Sequence, residues 1–241
     1  MRSSTRGLAI GLAAAGVAHF APAVSGTRLG QQLFPAVTRV DGAGAVSLTF
    51  DDGPDTQIQR FLDVLAAADA KSTFFLMGEQ VDRYPQAAAA IAAAGHEIAV
   101  HGYSHRGHLR RSPWDLAEDL RRARSVIEDA TQTTPRLYRP PYGVFSLGSW
   151  LETRRQGWIP ILWSRWGKDW DEHATPLGIA DCVGYPAAGD IVLLHDSDRY
   201  SAPRSWENTL RALPIILERI ERANLEAGTV RQLLGQAGQG G

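Results

Sequence analysis

Apolar, strand-like runs alternate with amphipathic helical segments along nearly the whole chain, which predicts an α/β protein, a distorted (β/α) barrel of about seven parallel strands. Three observations carry this reading. Runs such as 45–50 (AVSLTF), 72–77 (STFFLM) and 191–194 (IVLL) are almost continuously apolar, as strands covered by helices are. The segments between them place apolar residues at helical spacing. The length, 241 residues, is one that α/β barrels use as a single domain.

The elements follow in order. After the strand at 45–50, a helix over 57–70 carries Ile58, Phe61, Leu62 and Leu65 on one face. The strand at 72–77 precedes an Ala-rich helix over 85–94, opened by Pro85 and stopped before Gly95. Residues 97–100 (EIAV) form the third strand. The best helix spans 112–131: Ser112 is its N-cap, Pro113 takes the first helical position, and Asp115 completes a loose capping pattern. Its face of Leu116, Leu120, Ala123 and Ile127 packs on the sheet. A short strand at 137–138, a helix near 149–156, a strand at 158–164, a weaker helix at 176–183 and the strand at 191–194 come next. A long helix over 205–223 is kinked or restarted at Pro214. A last strand falls near 229–230, and the Gln/Gly-rich tail from Gly235 is expected to be disordered. The organisation expected is an N-terminal arm over 1–40, one folded domain over 41–234 and a tail over 235–241.

A formal net charge of −1 argues against nucleic acid or an anionic membrane surface as the main partner, and the chain is expected to be a monomer. The one cysteine, Cys182, allows no internal disulfide and no multi-thiolate zinc site, and reads as a small buried apolar residue. At the N-terminus, Arg2 and Arg6 precede an apolar stretch over 7–20 and then Ala21-Pro22-Ala23, the layout of a secretory signal. Export or a cell-envelope location is the expectation, although His19 interrupts the stretch. The stretch is also short of the ~20 apolar residues a spanning helix needs. An uncleaved anchor and a cytoplasmic protein with an apolar arm are the alternatives.

The informative pattern is where the reactive side chains fall. Asp51 and Asp52 follow the first strand, His101 the third, Arg139 the fourth and His195 the sixth, while Asp169 lies a few residues past the fifth. In a parallel barrel these ends share one face, where barrel enzymes place their chemistry. His101 and His105 are spaced i, i+4, so one helical turn would project both imidazoles to the same side. Two imidazoles and a carboxylate, with Asp52 the natural choice, make a site with open positions, the pattern of a catalytic zinc. Asp51 is then a spare carboxylate beside a metal, the place of a general base. Each signal alone has an ordinary explanation. Asp-Asp-Gly-Pro is a common turn, a His pair is commonly found in loops, Arg139 could brace a turn and His195 could be a satisfied core histidine. Their shared position favours one site. His96-Glu97 followed by His101 has the wrong spacing for a zinc-protease helix, so His96 is read as structural. His108 and His173 are assigned to loop or rim positions.

Taken in order, these residues resemble the polysaccharide deacetylase family, the NodB-homology domains of carbohydrate esterase family 4. Thr49-Phe50-Asp51-Asp52-Gly53-Pro54, His101-Gly102-Tyr103-Ser104-His105, Arg139-Pro140-Pro141-Tyr142-Gly143, Asp169-Trp170 and Leu193-Leu194-His195 match its five motifs, and the likeness runs from Ala43 to Val230. The resemblance implies a hydrolase removing N-acetyl groups from an acetylated sugar or glycan. Its metal, zinc or else Co2+, Mn2+ or Ni2+, would be held by Asp52, His101 and His105. It further implies Asp51 as base, His195 as acid, Arg139 orienting Asp51 and keeping it ionised, and Asp169 tuning His195. The Tyr142 amide would meet the oxyanion, and Tyr142, Trp170, Leu193 and Pro140 would line the substrate pocket. Two stretches depart from the family pattern: Trp163 to Lys168, which lacks the aspartates many relatives carry there, and Ser197 to Pro203. The tryptophan-rich stretch could stack on a sugar or belong to the core. An O-acetyl esterase on the same scaffold and a non-catalytic glycan-binding barrel are the competing readings.

Overall fold

The structure is a computed structural model and describes residues 18–238. Eight strands form one sheet, ordered β5-β4-β3-β2-β1-β7-β6, with β8 paired separately to β1. They are β1 (Ala45–Asp51), β2 (Ser72–Met77), β3 (Glu97–Gly102), β4 (Leu137–Tyr138), β5 (Ile159–Pro160), β6 (Arg165–Trp166), β7 (Ile191–His195) and β8 (Glu226–Ala227). Every pairing is parallel, so the C-terminal ends of the strands share one rim. The seven-strand path curls into the distorted barrel expected.

Alternation along the strands divides the core in two. Leu48, Phe50, Phe74, Leu76, Val192 and Leu194 point outward and pack under the helices with Phe61, Leu65, Ile91 and Leu120. Phe75, Ala99, Leu137, Ile161 and Ile191 point inward and fill the barrel, joined by Val230 and Leu233. Each large apolar side chain so buried contributes about 1.5–3 kcal/mol.

The helices are α1 (Arg28–Leu33), α2 (Ile58–Ala67), α3 (Gly78–Arg83), α4 (Pro85–Ala93), α5 (Pro113–Thr131), α6 (Leu147–Arg155), α7 (Pro176–Val183), α8 (Ser205–Arg222) and α9 (Val230–Ala237). Ser112 caps α5 by accepting the Asp115 amide, as its sequence indicates. Several expectations need correction. Helix α3 is an addition, inserted directly after β2. Helix α8 runs through Pro214 as one helix, its buried Leu213, Ile216, Leu217 and Ile220 offsetting the lost backbone bond. The last strand is β8, three residues ahead of the expected 229–230. Thr229 instead caps α9 in a reciprocal box with Gln232, and residues 235–237 are that helix's last turn rather than disordered. Cys182 is exposed, because it lies on the outward face of α7 while Ile179, Ala180 and Val183 face the core.

The run expected to be one strand at 158–164 holds only the short β5, and β6 begins just past its end, at the opposite end of the sheet path. β5 pairs with β4 and β6 with β7, so this one segment spans the gap between the sheet's edges. Residues 36–40, expected in the arm, take part in the same region. Val37 donates to the Pro160 carbonyl and accepts from the Leu162 amide, both at 2.8 Å, and Ala36 and Val40 are buried. The predicted signal stretch lies largely outside the described residues. No helix among the described residues is long and apolar enough to cross a membrane.

Candidate active site

The rim is built by what ends each strand. Asp51 is the last residue of β1, and Asp52 follows in the left-handed region at φ 78°, which turns its side chain back into the barrel mouth beside Asp51. Gly53 must be glycine, since the Asp196 carboxylate occupies the space a Cβ would need. His101 lies within β3. The next residue, Gly102, has φ 126°, and the loop then bends sharply. The helical turn expected between the two histidines does not form. Instead the Tyr103 amide donates to Asp119 Oδ2 at 2.8 Å and the Ser104 hydroxyl to Asp119 Oδ1 at 2.6 Å. That clamp from α5 brings His105 back beside His101.

Asp52, His101 and His105 therefore converge. Asp52 Oδ1 lies 3.5 Å from His101 Nε2 and 3.4 Å from His105 Nε2. One donor atom from each residue fits within a 4.8 Å span. A tetrahedral ion with bonds of about 2.0–2.1 Å holds its ligand atoms roughly 3.3 Å apart, so the set has the right size. Asp52 Oδ1 is buried without a hydrogen-bond partner among the described residues, which a cation would supply. His101 Nδ1 lies 2.8 Å from the Arg139 carbonyl, which aims Nε2 at the site.

Two charged pairs flank the triad. Asp51 Oδ1 accepts from Arg139 Nη1 at 2.6 Å. Arg139 is fully buried inside the barrel, held also by the Thr49 hydroxyl at 2.8 Å and the Leu162 carbonyl at 2.9 Å, with its guanidinium 4.0 Å above the Phe75 ring. On the other side, His195 Nδ1 lies 2.8 Å from Asp169 Oδ1, while the His195 amide and the Thr209 hydroxyl donate to Asp169 Oδ2 at 2.7 and 2.8 Å. His195 Nε2 faces the triad, 4.0 Å from Asp52 Oδ2.

Electrostatics separate the three imidazoles. Burial holds His101 well below its usual value and His105 down at about 3, so both are neutral, as metal ligands must be. Burial also works to lower His195, but the Asp169 carboxylate overrides it and pushes His195 up to about 10. Burial raises Asp51 despite Arg139, contrary to the expectation that the arginine's charge alone would keep it low. Burial likewise raises Asp52, to about 7, a direction a bound cation would reverse.

The predicted pocket residues are partly assembled. Tyr142, at φ 60° and largely exposed, sets its ring 4.6 Å from that of His105. The Trp170 ring stands edge-on to His195 at 5.7 Å. Leu193 shares the inward face of β7 with His195. Pro140 is buried beneath the turn, where its carbonyl accepts the Gly143 amide. The tryptophans divide: Trp150 and Trp158 are core, whereas Trp166 and Trp170 are part-exposed and 5.8 Å apart at the mouth. His96 accepts the Ser72 amide and is structural; His173 is exposed; His108 is buried and stacked on Tyr138 rather than at a rim. Asp119 and Thr209 were not singled out in the sequence. Their signal was a polar residue on the buried stripe of α5 and of α8.

The fold and the site define a class: an α/β barrel with an Asp-His-His cluster at its rim that could hold a metal ion. Known proteins narrow it. Residues 39–158 match the family model described as polysaccharide deacetylase. The chain is 33% identical over 196 residues to a peptidoglycan-N-acetylglucosamine deacetylase of Bacillus cereus, covering 78% of this chain and 87% of that one. It is 30% identical over 202 residues to a chitooligosaccharide deacetylase of Bradyrhizobium, covering 80% and 92%. A family 4 carbohydrate esterase from Streptomyces lividans, solved with acetate, superposes with a TM-score of 0.70 at 29% identity, covering 77% and 92%. The chain belongs to the polysaccharide deacetylase family.

Proposed function

We propose that this protein hydrolyses N-acetyl groups on an amino-sugar glycan, with a divalent metal, zinc in the first instance, held by Asp52, His101 and His105. The observation that carries the reading is the pairing around that triad: a carboxylate braced by arginine on one side and an imidazole braced by carboxylate on the other. A divalent ion held there by Asp52, His101 and His105 would lower the pKa of a bound water and act as a Lewis acid toward the acetamide carbonyl. Asp51 takes the proton from the attacking water. Burial, which raises its pKa, makes it a stronger proton acceptor than an ordinary carboxylate. His195, kept protonated by Asp169, delivers a proton to the departing amine from the opposite side. The Tyr142 amide, on a turn held at positive φ, stabilises the oxyanion. Trp170 and Leu193 enclose the acetyl methyl. The peptidoglycan-acting relative and the basic, apolar N-terminus support an envelope location.

Acetate release from a panel of N- and O-acetylated sugars and glycans tests this directly. Activity on N-acetyl substrates should vanish after chelation and return with Zn2+ or Co2+. Release from O-acetyl sugars alone would reassign the protein as an esterase, and chelator-resistant activity would remove the metal from the mechanism.

A further inference from the structure

The two histidines of the triad are oriented by different means. His101 has its second ring nitrogen on the Arg139 carbonyl. His105 has no such anchor: its Nδ1 is buried with no hydrogen-bond partner among the described residues. Metal-binding histidines generally fix their ring through that second nitrogen. At His105 aromatic packing takes its place. The Tyr200 ring lies nearly parallel to the imidazole, 13° from coplanar with centroids 4.3 Å apart, and the Tyr142 ring meets it edge-on. Tyr142 is largely exposed, so Tyr200 is the half-buried, better-held partner.

Tyr200 is itself tied down. Its hydroxyl bonds Glu79 Oε1 and accepts from Gln80 Nε2 at 3.1 Å, both on α3. The Glu79 amide in turn donates to the Tyr103 carbonyl at 3.0 Å, within the loop between the two histidines. The neighbouring Arg199 reaches Asp55 and Tyr84, and the Ala202 amide donates to the Trp170 carbonyl at 3.1 Å. The 197–203 stretch, outside the family motifs, is thus anchored on both sides of the mouth.

We propose that Tyr200 is a positioning residue for the metal site: its ring, held by Glu79 and Gln80, fixes the plane of His105 so that Nε2 faces Asp52 Oδ1. This rests on Asp52, His101 and His105 holding a cation, and the test separates the two claims. Co2+ is titrated into the metal-free full-length wild type, Tyr200→Ala, Tyr200→Leu and Tyr200→Phe, with affinity read by chelator competition and geometry by the cobalt visible spectrum. Wild type should bind one ion. Tyr200→Ala and Tyr200→Leu should bind it about 10–100-fold more weakly, the range seen when a residue supporting a metal ligand is lost. Their cobalt spectra should also be altered. Tyr200→Phe, which keeps the ring, should retain most of the affinity. Thermal melts of the metal-free proteins identify any variant that fails to fold, in which case the Leu variant, of similar apolar bulk, decides. Wild-type affinity and spectrum in folded Tyr200→Leu would overturn the role of Tyr200. Failure of wild type to bind Co2+ would overturn the metal site itself.

Discussion

His105 and His195 occupy the same cleft in opposite states, one pulled down to about 3 by burial, the other pushed to about 10. Burial is the largest influence on both, so the difference comes from the charges beside each ring: Asp169, with Asp52 and Asp51, raises His195, while His101 adds to the lowering of His105. That divergence separates a ligand from an acid. It also gives a signed test. In the proposed mechanism the protonated His195 is the working form, so activity should be lost as pH rises through its pKa. Asp169→Asn removes the charge that raises it, and the alkaline limb of the kcat/KM profile should move to lower pH than in wild type. An unmoved limb would mean that His195 is not the acid being titrated. Asp51→Asn should keep the metal, because Asp51 is not in the ligand set, while kcat falls by about 10²–10⁴, the usual contribution of a general base. Metal content and turnover measured on one preparation decide it. These roles were readable because each residue sits at or just past a strand end in a motif. Tyr200 was not, since stacking across more than ninety residues leaves no local pattern.

The loop between the two histidines owes its shape to α5. Asp119 accepts from Tyr103 and Ser104 and pairs with the buried Arg111 at 2.9 Å. A one-turn helix from His101 to His105 was the natural inference from i, i+4 spacing, but Gly102 at φ 126° directs the chain away from it, and long-range hydrogen bonds supply the geometry instead. The pairing of the histidines was legible; the means were not. Asp119→Ala should strand the Tyr103 amide and leave Arg111 with Asp115 as its remaining partner. Because Arg111 stays paired, the cost is that of the stranded amide, about 1–3 kcal/mol. A lower Tm together with weaker metal binding is expected. Unchanged metal affinity in the folded variant would show that the clamp does not set the ligand geometry.

Closure of the barrel links the N-terminal segment to the chemistry. Sequence patterning gave the strands and the outer helices well, because an apolar run or stripe is a local property. It over-extended β5 to Ser164 and missed β6 just beyond, because this stretch crosses from one edge of the sheet to the other, a long-range arrangement. Between those strands, Leu162 gives its carbonyl to Arg139 and its amide to Val37. Residues 36–40 therefore brace the same residue whose carbonyl positions the arginine behind Asp51. A chain beginning at Phe34 keeps this pairing and the Phe34–Trp150 contact, whereas one beginning at Asp41 loses them. Two backbone hydrogen bonds at about 1 kcal/mol each and a buried valine at about 1.5–3 kcal/mol set a minimum loss. At roughly 2–4 °C per kcal/mol the second truncation should melt some 10 °C lower. Its kcat should fall as well, since Arg139 loses the support of its Leu162 contact. If both truncations melt and turn over alike, residues 34–40 are dispensable and the barrel is sealed by residues 159–166 alone.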